Sequence, residues 1–196
     1  MIPYIGDLST KDASVLRMLA GESNSILEFG VGASTQILRH YSCGGMTSVD
    51  TSDEWIDRTK ENFNLVGVKG EVDFRLYGSR AAGKYDLIFV DGIKKFRKEF
   101  AVNHWRYLSF GGKMAFHDTR KGFHIGYVSE IIQEFFTQID IAEMNVAESN
   151  ITTIKKRRRL NYVNWNSDEG RKSWQYGRGE FNMREFLQYK NNMEKQ

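Results

Sequence analysis

The sequence predicts an α/β domain in which a mostly parallel sheet is covered by helices on both faces. Three observations carry that expectation. Short apolar runs such as Ser25–Phe29 and Tyr85–Val90 read as strands buried on both sides, because they lack the in/out alternation of a half-solvated strand. Amphipathic stretches with apolar residues three and four apart separate these runs, as crossover helices lying on a sheet require. One run leads through a glycine turn straight into such a stretch, at Phe29-Gly30-Val31-Gly32-Ala33-Ser34.

Taken in order, Ser9-Thr10 before the apolar-periodic Lys11–Leu19 marks a capped helix that ends at Gly21. Ser25–Phe29, Met46–Val49, Val72–Leu76, Tyr85–Val90 and Lys113–Phe116 are the expected strands, with helices over Ser34–Tyr41, Asp53–Leu65 and Phe96–Leu108 between them. A further helix is expected near Ile125–Phe136. Apolar and polar residues then roughly alternate over Ile139–Val146 and Ile151–Lys156 on either side of Glu148-Ser149-Asn150, the pattern of an antiparallel hairpin that would close the sheet.

Composition sets the outer bounds. With 40% hydrophobic and 27% charged residues, the 196-residue chain has globular rather than disordered composition and the size of one domain. It has no apolar run near the ~20 residues of a membrane helix, and Met1-Ile2-Pro3-Tyr4 lacks the basic-then-apolar order of a signal peptide, so a cytoplasmic protein without membrane contact is expected. The single Cys43 has no disulfide or zinc-knuckle partner and reads as a small, half-buried residue at a helix end. The net charge of +3 is unevenly spread: Ile151 to Gln196 holds 11 Lys and Arg against 5 Asp and Glu. We expect one domain over residues 1–159 and a basic, aromatic extension over 160–196 packed on it, too short for a core of its own.

Glycines let the backbone bend and approach a ligand, and free N–H groups at a helix start attract anionic groups. A dinucleotide site would have Gly-x-Gly-x-x-Gly, yet the third position is Thr35. Glu28 would repel a pyrophosphate, whereas it could accept hydrogen bonds from the ammonium of an amino-acid moiety. Asp50, at the end of the second strand, is placed to take both hydroxyls of a ribose. In open parallel sheets ligands bind outside the carboxyl ends of the strands, so Asp91 and Asp118, ending the fourth and fifth strands, should rise from one edge with His117 beside them.

Together, Ile26–Thr35, Val49-Asp50-Thr51, Gly78-Ser79, Tyr85–Gly92, Trp105–Gly112 and Phe116-His117-Asp118 resemble the motifs of class I S-adenosylmethionine-dependent methyltransferases. The small O-methyltransferase-like branch, with catechol, sugar and macrolide O-methyltransferases and cephalosporin-hydroxylase-like proteins, is the one they resemble in particular, over about Leu8 to Lys156. The resemblance implies a three-layer Rossmann-like fold with a seven-stranded sheet and an antiparallel hairpin strand. It implies S-adenosylmethionine as cofactor, with Glu28, Phe29, Gly30, Gly32 and Ser34 at its methionine end, Asp50 and Thr51 at the ribose, Gly78 and Ser79 near the adenine, and Asp91 beside it.

The implied reaction is methyl transfer to an oxygen of a small hydroxylated or sugar-like acceptor, with Asp91, His117 and Asp118 as catalytic residues. Two routes stay open for removing the hydroxyl proton. A divalent metal, magnesium or manganese, held by Asp91 and Asp118 would lower the hydroxyl pKa; alternatively an acid or His117 acts as the base directly. Catechol-type relatives favour the metal, but here Thr119 follows Asp118 where they carry Asn, and Gly92-Ile93-Lys94-Lys95 lacks their His. His40 and His104 read as structural, and His124, in a glycine-flanked loop, as a substrate contact.

Lys155–Arg159 with Trp165, Trp174 and Tyr176 could instead bind nucleic acid, which defines a nucleic-acid methyltransferase as a rival reading. The fourth strand, however, ends in Val-Asp-Gly rather than the Asn/Asp-Pro-Pro-Tyr of exocyclic-amine methylation. A second rival is a non-catalytic binding module of the same fold.

Overall fold

The computed structural model describes residues 2–79, 83–119, 125–135, 138–145 and 149–157. Helix α1 (Thr10–Gly21) starts where Ser9 accepts the Asp12 N–H at 3.1 Å, the capping contact its sequence announces. Strand β1 (Ser25–Phe29), helix α2 (Ala33–Tyr41), strand β2 (Gly45–Asp50) and helix α3 (Asp53–Val66) follow. Ser52 caps α3 at its start, and Gly67, left-handed at φ 70°, closes it by donating to the Phe63 carbonyl. Strands β3 (Asp73–Leu76) and β4 (Tyr85–Val90), helix α4 (Lys94–His104), strand β5 (Leu108–Phe116), helix α5 (Ile125–Glu134) and strands β6 (Ile139–Asn145) and β7 (Thr152–Lys156) complete the fold.

The seven strands form one sheet in the order β3-β2-β1-β4-β5-β7-β6. Neighbours are parallel from β3 to β5, and β7 runs antiparallel to both β5 and β6, so the expected hairpin closes the sheet. Alternate residues of each strand divide the core into two layers. Ile26, Leu87, Phe89 and Ala115 pack with Ala13, Leu16, Ile37 and Leu38 of α1 and α2. Leu27, Phe29, Ile88, Val90 and Phe116 pack with Phe100 of α4 and Val128 and Ile131 of α5. Because β1 pairs with both β2 and β4, connections leave in opposite directions there, and a crevice opens above the ends of β1 and β4.

Two elements differ from expectation. Helix α4 stops at His104 rather than running to Leu108; a 3-10 turn, Trp105–Tyr107, follows. The two ends of that turn are fastened by Lys156, whose buried Nζ donates to the carbonyls of Trp105 (2.9 Å) and Leu108 (3.0 Å). Strand β5 begins at Leu108, not Lys113: Tyr85 pairs with Leu108 and Leu87 with Lys113, so β5 bulges between them. Gly111, at φ 82°, supplies the left-handed residue and lies in the bulge, which is why a double glycine sits inside a strand.

Cys43 is exposed rather than half-buried. Within the basic run, Lys156 serves the packing just described, and Arg157 donates to the Ile139 carbonyl at 2.8 Å. The rest of the run, the 160–196 extension with Trp165, Trp174 and Tyr176, and His124 lie outside the described residues. No helix among the described residues is long and apolar enough to cross a membrane.

Candidate active site

At the β1/β4 crevice two turns touch backbone to backbone. Gly30 has φ 97°, and a Cβ there would fall 2.0 Å from the Gly92 nitrogen. Gly92 has φ 42°, and its Cβ would fall 2.7 Å from the Phe29 ring, so only glycine lets these turns meet. Asp50 braces the first turn: its carboxylate accepts from the N–H groups of Val31 (2.9 Å), Thr51 (2.7 Å) and Ser52 (3.1 Å). Thr35, in place of a third glycine, accepts the Gly32 N–H at 2.8 Å.

A cleft of about 410 Å³ opens over this framework, walled by Gly30, Asp50, Thr51, Trp55, Asp91 and Ile93. A smaller hollow of about 220 Å³ adjoins it, where Ile5–Leu8 faces Gly32, Ser34 and Asp91. Gln36 holds that N-terminal segment in place, accepting from Ile5 N and donating to Ile5 O, both at 2.9 Å.

Glu28 lies beneath the turn. It shares strand parity with Ile26 and so points into the α2 layer, fully buried, where it accepts from the hydroxyls of Ser34 (2.6 Å) and Ser48 (2.8 Å). Burial raises its pKa to about 7; the Ser34, Thr35 and Ser48 hydroxyls oppose that rise, and the Asp91 charge adds to it. The Phe29 ring is likewise buried, stacked on Phe100 at 4.7 Å. These two side chains offer the cleft no surface; they shape it from below.

Beside the ends of β4 and β5, one cluster draws on four regions of the chain. His117, following β5, has Nδ1 at 3.3 Å from Asp91 Oδ2 and 3.8 Å from Asp118 Oδ1, while its Nε2 faces Asp12 Oδ2 of α1 at 3.6 Å. Burial alone would lower the His117 pKa, but the Asp91 hydrogen bond and the charges of Asp91, Asp118 and Asp12 together outweigh it and raise the pKa. Asp118 adopts φ 59°, a left-handed conformation that Asp tolerates better than most residues. One ligand atom each from Asp91, His117 and Asp118 lies within 4.8 Å of the others, a spacing that a divalent ion can use. A guanidinium already joins the two carboxylates: Arg97 Nη2 donates to Asp91 Oδ1 at 2.8 Å and to Asp118 Oδ2 at 3.3 Å.

The fold therefore brings Gly30, Gly32, Ser34, Asp50, Thr51, Asp91, His117 and Asp118 to one edge. Gly78 and Ser79 line a separate cavity of about 420 Å³ with Tyr77, Phe100, His104 and Tyr107. His104 stacks on Phe100 with centroids 4.0 Å apart and sets Nδ1 2.7 Å from the Phe100 carbonyl. Arg97 and Asp12 were missed. The signal was present: Arg97 stands three and four residues before the buried Phe100 and Ala101, and Asp12 one and four before the buried Ala13 and Leu16. Each is a charge on an apolar helix face.

The sequence matches no family model and no curated protein. The structure resembles solved ones. An O-methyltransferase from Bacillus cereus in complex with SAH is 17% identical, with a TM-score of 0.61 over 76% of this chain and 83% of that one. The O-methyltransferase TomG from Streptomyces achromogenes, involved in tomaymycin synthesis and in complex with SAM, is 15% identical, with a TM-score of 0.63 over 77% of this chain and 82% of that one. The N-methyltransferase NodS from Bradyrhizobium japonicum WM9, in complex with S-adenosyl-L-homocysteine, is 15% identical, with a TM-score of 0.56 over 74% and 86%. At these identities the likeness establishes the fold alone: the Rossmann-like α/β sheet that these solved structures share.

Proposed function

We propose that this chain is an S-adenosylmethionine-dependent methyltransferase acting on an oxygen of a small hydroxylated or sugar-like acceptor. The observation that carries the reading is the cleft at the sheet's switch point, where the Gly30–Gly32 turn, Asp50 and Asp91 face one space. The solved O-methyltransferases of this fold, bound to SAM or SAH, support it.

Gly30, Gly32 and Ser34 would border the methionine end, with Glu28 and Phe29 supporting them from below. Asp50 has about one lone-pair site beyond its three backbone partners for a ribose hydroxyl, and Thr51 stands beside it. Gly78 and Ser79 would approach the adenine from the cavity they line with Tyr77.

When bound, the sulfonium cofactor would supply a methyl group to the acceptor oxygen, a C–O bond replacing the C–S bond whose electron pair would stay on sulfur. Asp91, in the cleft wall, accepts the hydrogen bond of the acceptor hydroxyl and aligns it. The proton passes to the Asp91–His117 pair, which Asp12 backs from the other ring nitrogen. The same carboxylates, with His117, would hold a divalent ion if one were bound, and it would lower the hydroxyl pKa.

Calorimetry tests the assignment. S-adenosylhomocysteine is expected to bind in the micromolar range, roughly 7–8 kcal/mol, while NAD gives no heat. NAD binding without S-adenosylhomocysteine binding would overturn the reading. Asp50→Ala removes both the ribose partner and the brace of the turn. It should weaken S-adenosylhomocysteine by about 1.5–3 kcal/mol, and an unchanged affinity in a folded variant excludes Asp50 from the site.

A further inference from the structure

Resting on the methyltransferase reading, we infer that Arg97 is the built-in cation of the acceptor site, holding Asp91 and Asp118 where a divalent metal would otherwise be held, so that methyl transfer here is metal-independent. The guanidinium is buried and tied on every nitrogen. Nε donates to the Gly92 carbonyl at 3.0 Å, Nη1 to the His117 carbonyl at 3.3 Å, and Nη2 to Asp91 Oδ1 and Asp118 Oδ2 at 2.8 and 3.3 Å. One side chain thus fastens the loop after β4 to the loop after β5.

A magnesium ion sits about 2.0–2.1 Å from its oxygens. Shared by Asp91 Oδ1 and Asp118 Oδ2, it would have to occupy the position of Nη2, which already lies within hydrogen-bonding range of both. The remaining donors, Asp91 Oδ2, Asp118 Oδ1 and His117 Nδ1, would place the ion on the other side of the same two carboxylates, close to a fixed positive charge that cannot deprotonate. Arg97 cannot swing away without leaving two partly buried carboxylates facing each other and two carbonyls without their donor.

The arrangement assigns Arg97 a positioning role. It neutralises the pair as a metal would and fixes Asp91 Oδ1, which leaves Oδ2 to His117. An arginine bound to two carboxylates provides no open coordination position for an acceptor oxygen, so deprotonation falls to the Asp91–His117 pair.

The test is manganese binding to the metal-stripped full chain, read from the electron paramagnetic resonance of free Mn²⁺ and from thermal unfolding, neither of which requires turnover. Wild type should take up no Mn²⁺ that Asp118→Asn abolishes, and chelator should change neither S-adenosylhomocysteine affinity nor methyl transfer. Arg97→Met keeps the side-chain stem and vacates the space between the carboxylates. It should bind one Mn²⁺ at least tenfold more tightly than wild type, with a rise in melting temperature when the ion is added. One Mn²⁺ bound by wild type and lost in Asp118→Asn, or activity abolished by chelator and restored by manganese, overturns the inference. The wild-type arms decide the matter even if Arg97→Met does not fold. If S-adenosylhomocysteine binds and wild type takes up the ion, the metal-independent claim alone fails; if S-adenosylhomocysteine does not bind, the functional reading fails first.

Discussion

Asp91→Asn is expected to lower turnover by on the order of 10²–10⁴ while S-adenosylhomocysteine affinity stays within a few-fold of wild type. The amide keeps the shape of the side chain, and its oxygen still accepts from Arg97, so the wall of the cleft is preserved. It removes the negative charge that aligns the acceptor hydroxyl and supports the proton on His117, 3.3 Å away. His117→Gln should show a loss of the same order for the same reason. The measurement pairs transfer of an isotope-labelled methyl group, screened over small hydroxylated acceptors, with calorimetry on each variant. Asp91→Asn turning over at the wild-type rate would remove Asp91 from the chemistry, and a parallel collapse of cofactor affinity would assign it to cofactor binding instead.

The second large effect is on stability and belongs to Glu28. Its folded-state pKa of about 7 stands above the ordinary 4.5, so the folded chain holds this proton more tightly than the unfolded one. The sign follows: the contribution is fully present below about pH 4.5 and is lost as pH rises towards 7. A shift of that size amounts to about 3 kcal/mol. Glu28→Gln keeps an acceptor for the Ser34 hydroxyl but has no proton to lose. Denaturant unfolding of both proteins between pH 4.5 and 8 should therefore show the variant gaining about 3 kcal/mol relative to wild type across the range. Because the other carboxylates are common to both chains, the difference isolates Glu28. A difference that stays flat with pH would mean that Glu28 is already ionised beneath the turn.

The effect also bears on function. Glu28 accepts from the Ser34 and Ser48 hydroxyls and so ties the start of α2 to β2 under the turn, with burial raising its pKa. A polar residue at the strand's penultimate position was legible in the sequence as part of the site. Its role as a support below the cleft followed only once strand parity placed it on the α2 side.

Local order was written in the sequence because it depends on neighbours in the chain. Apolar runs buried on both faces, Ser9 and Ser52 at helix starts, and the Gly30–Gly32 turn each follow from backbone and side-chain chemistry within a few residues. The strand ends that carry Asp50, Asp91 and Asp118 followed from the same runs, and with them the edge at which a ligand would sit. The tertiary structure alone decided which distant groups meet there. Gly92 needs to be glycine because Phe29 and Gly30 lie against it, a contact between the turns after β1 and β4. Gly111 sits in a bulge only because β5 pairs with β4 across it. Asp12 from α1 and Arg97 from α4 converge on His117 and on the two carboxylates because α1 and α4 pack on opposite faces of the sheet and both reach its carboxyl edge. Sequence spacing marks each as a charge on a buried face; the partner that makes such a charge tolerable is a long-range contact, and only the folded sheet supplies it.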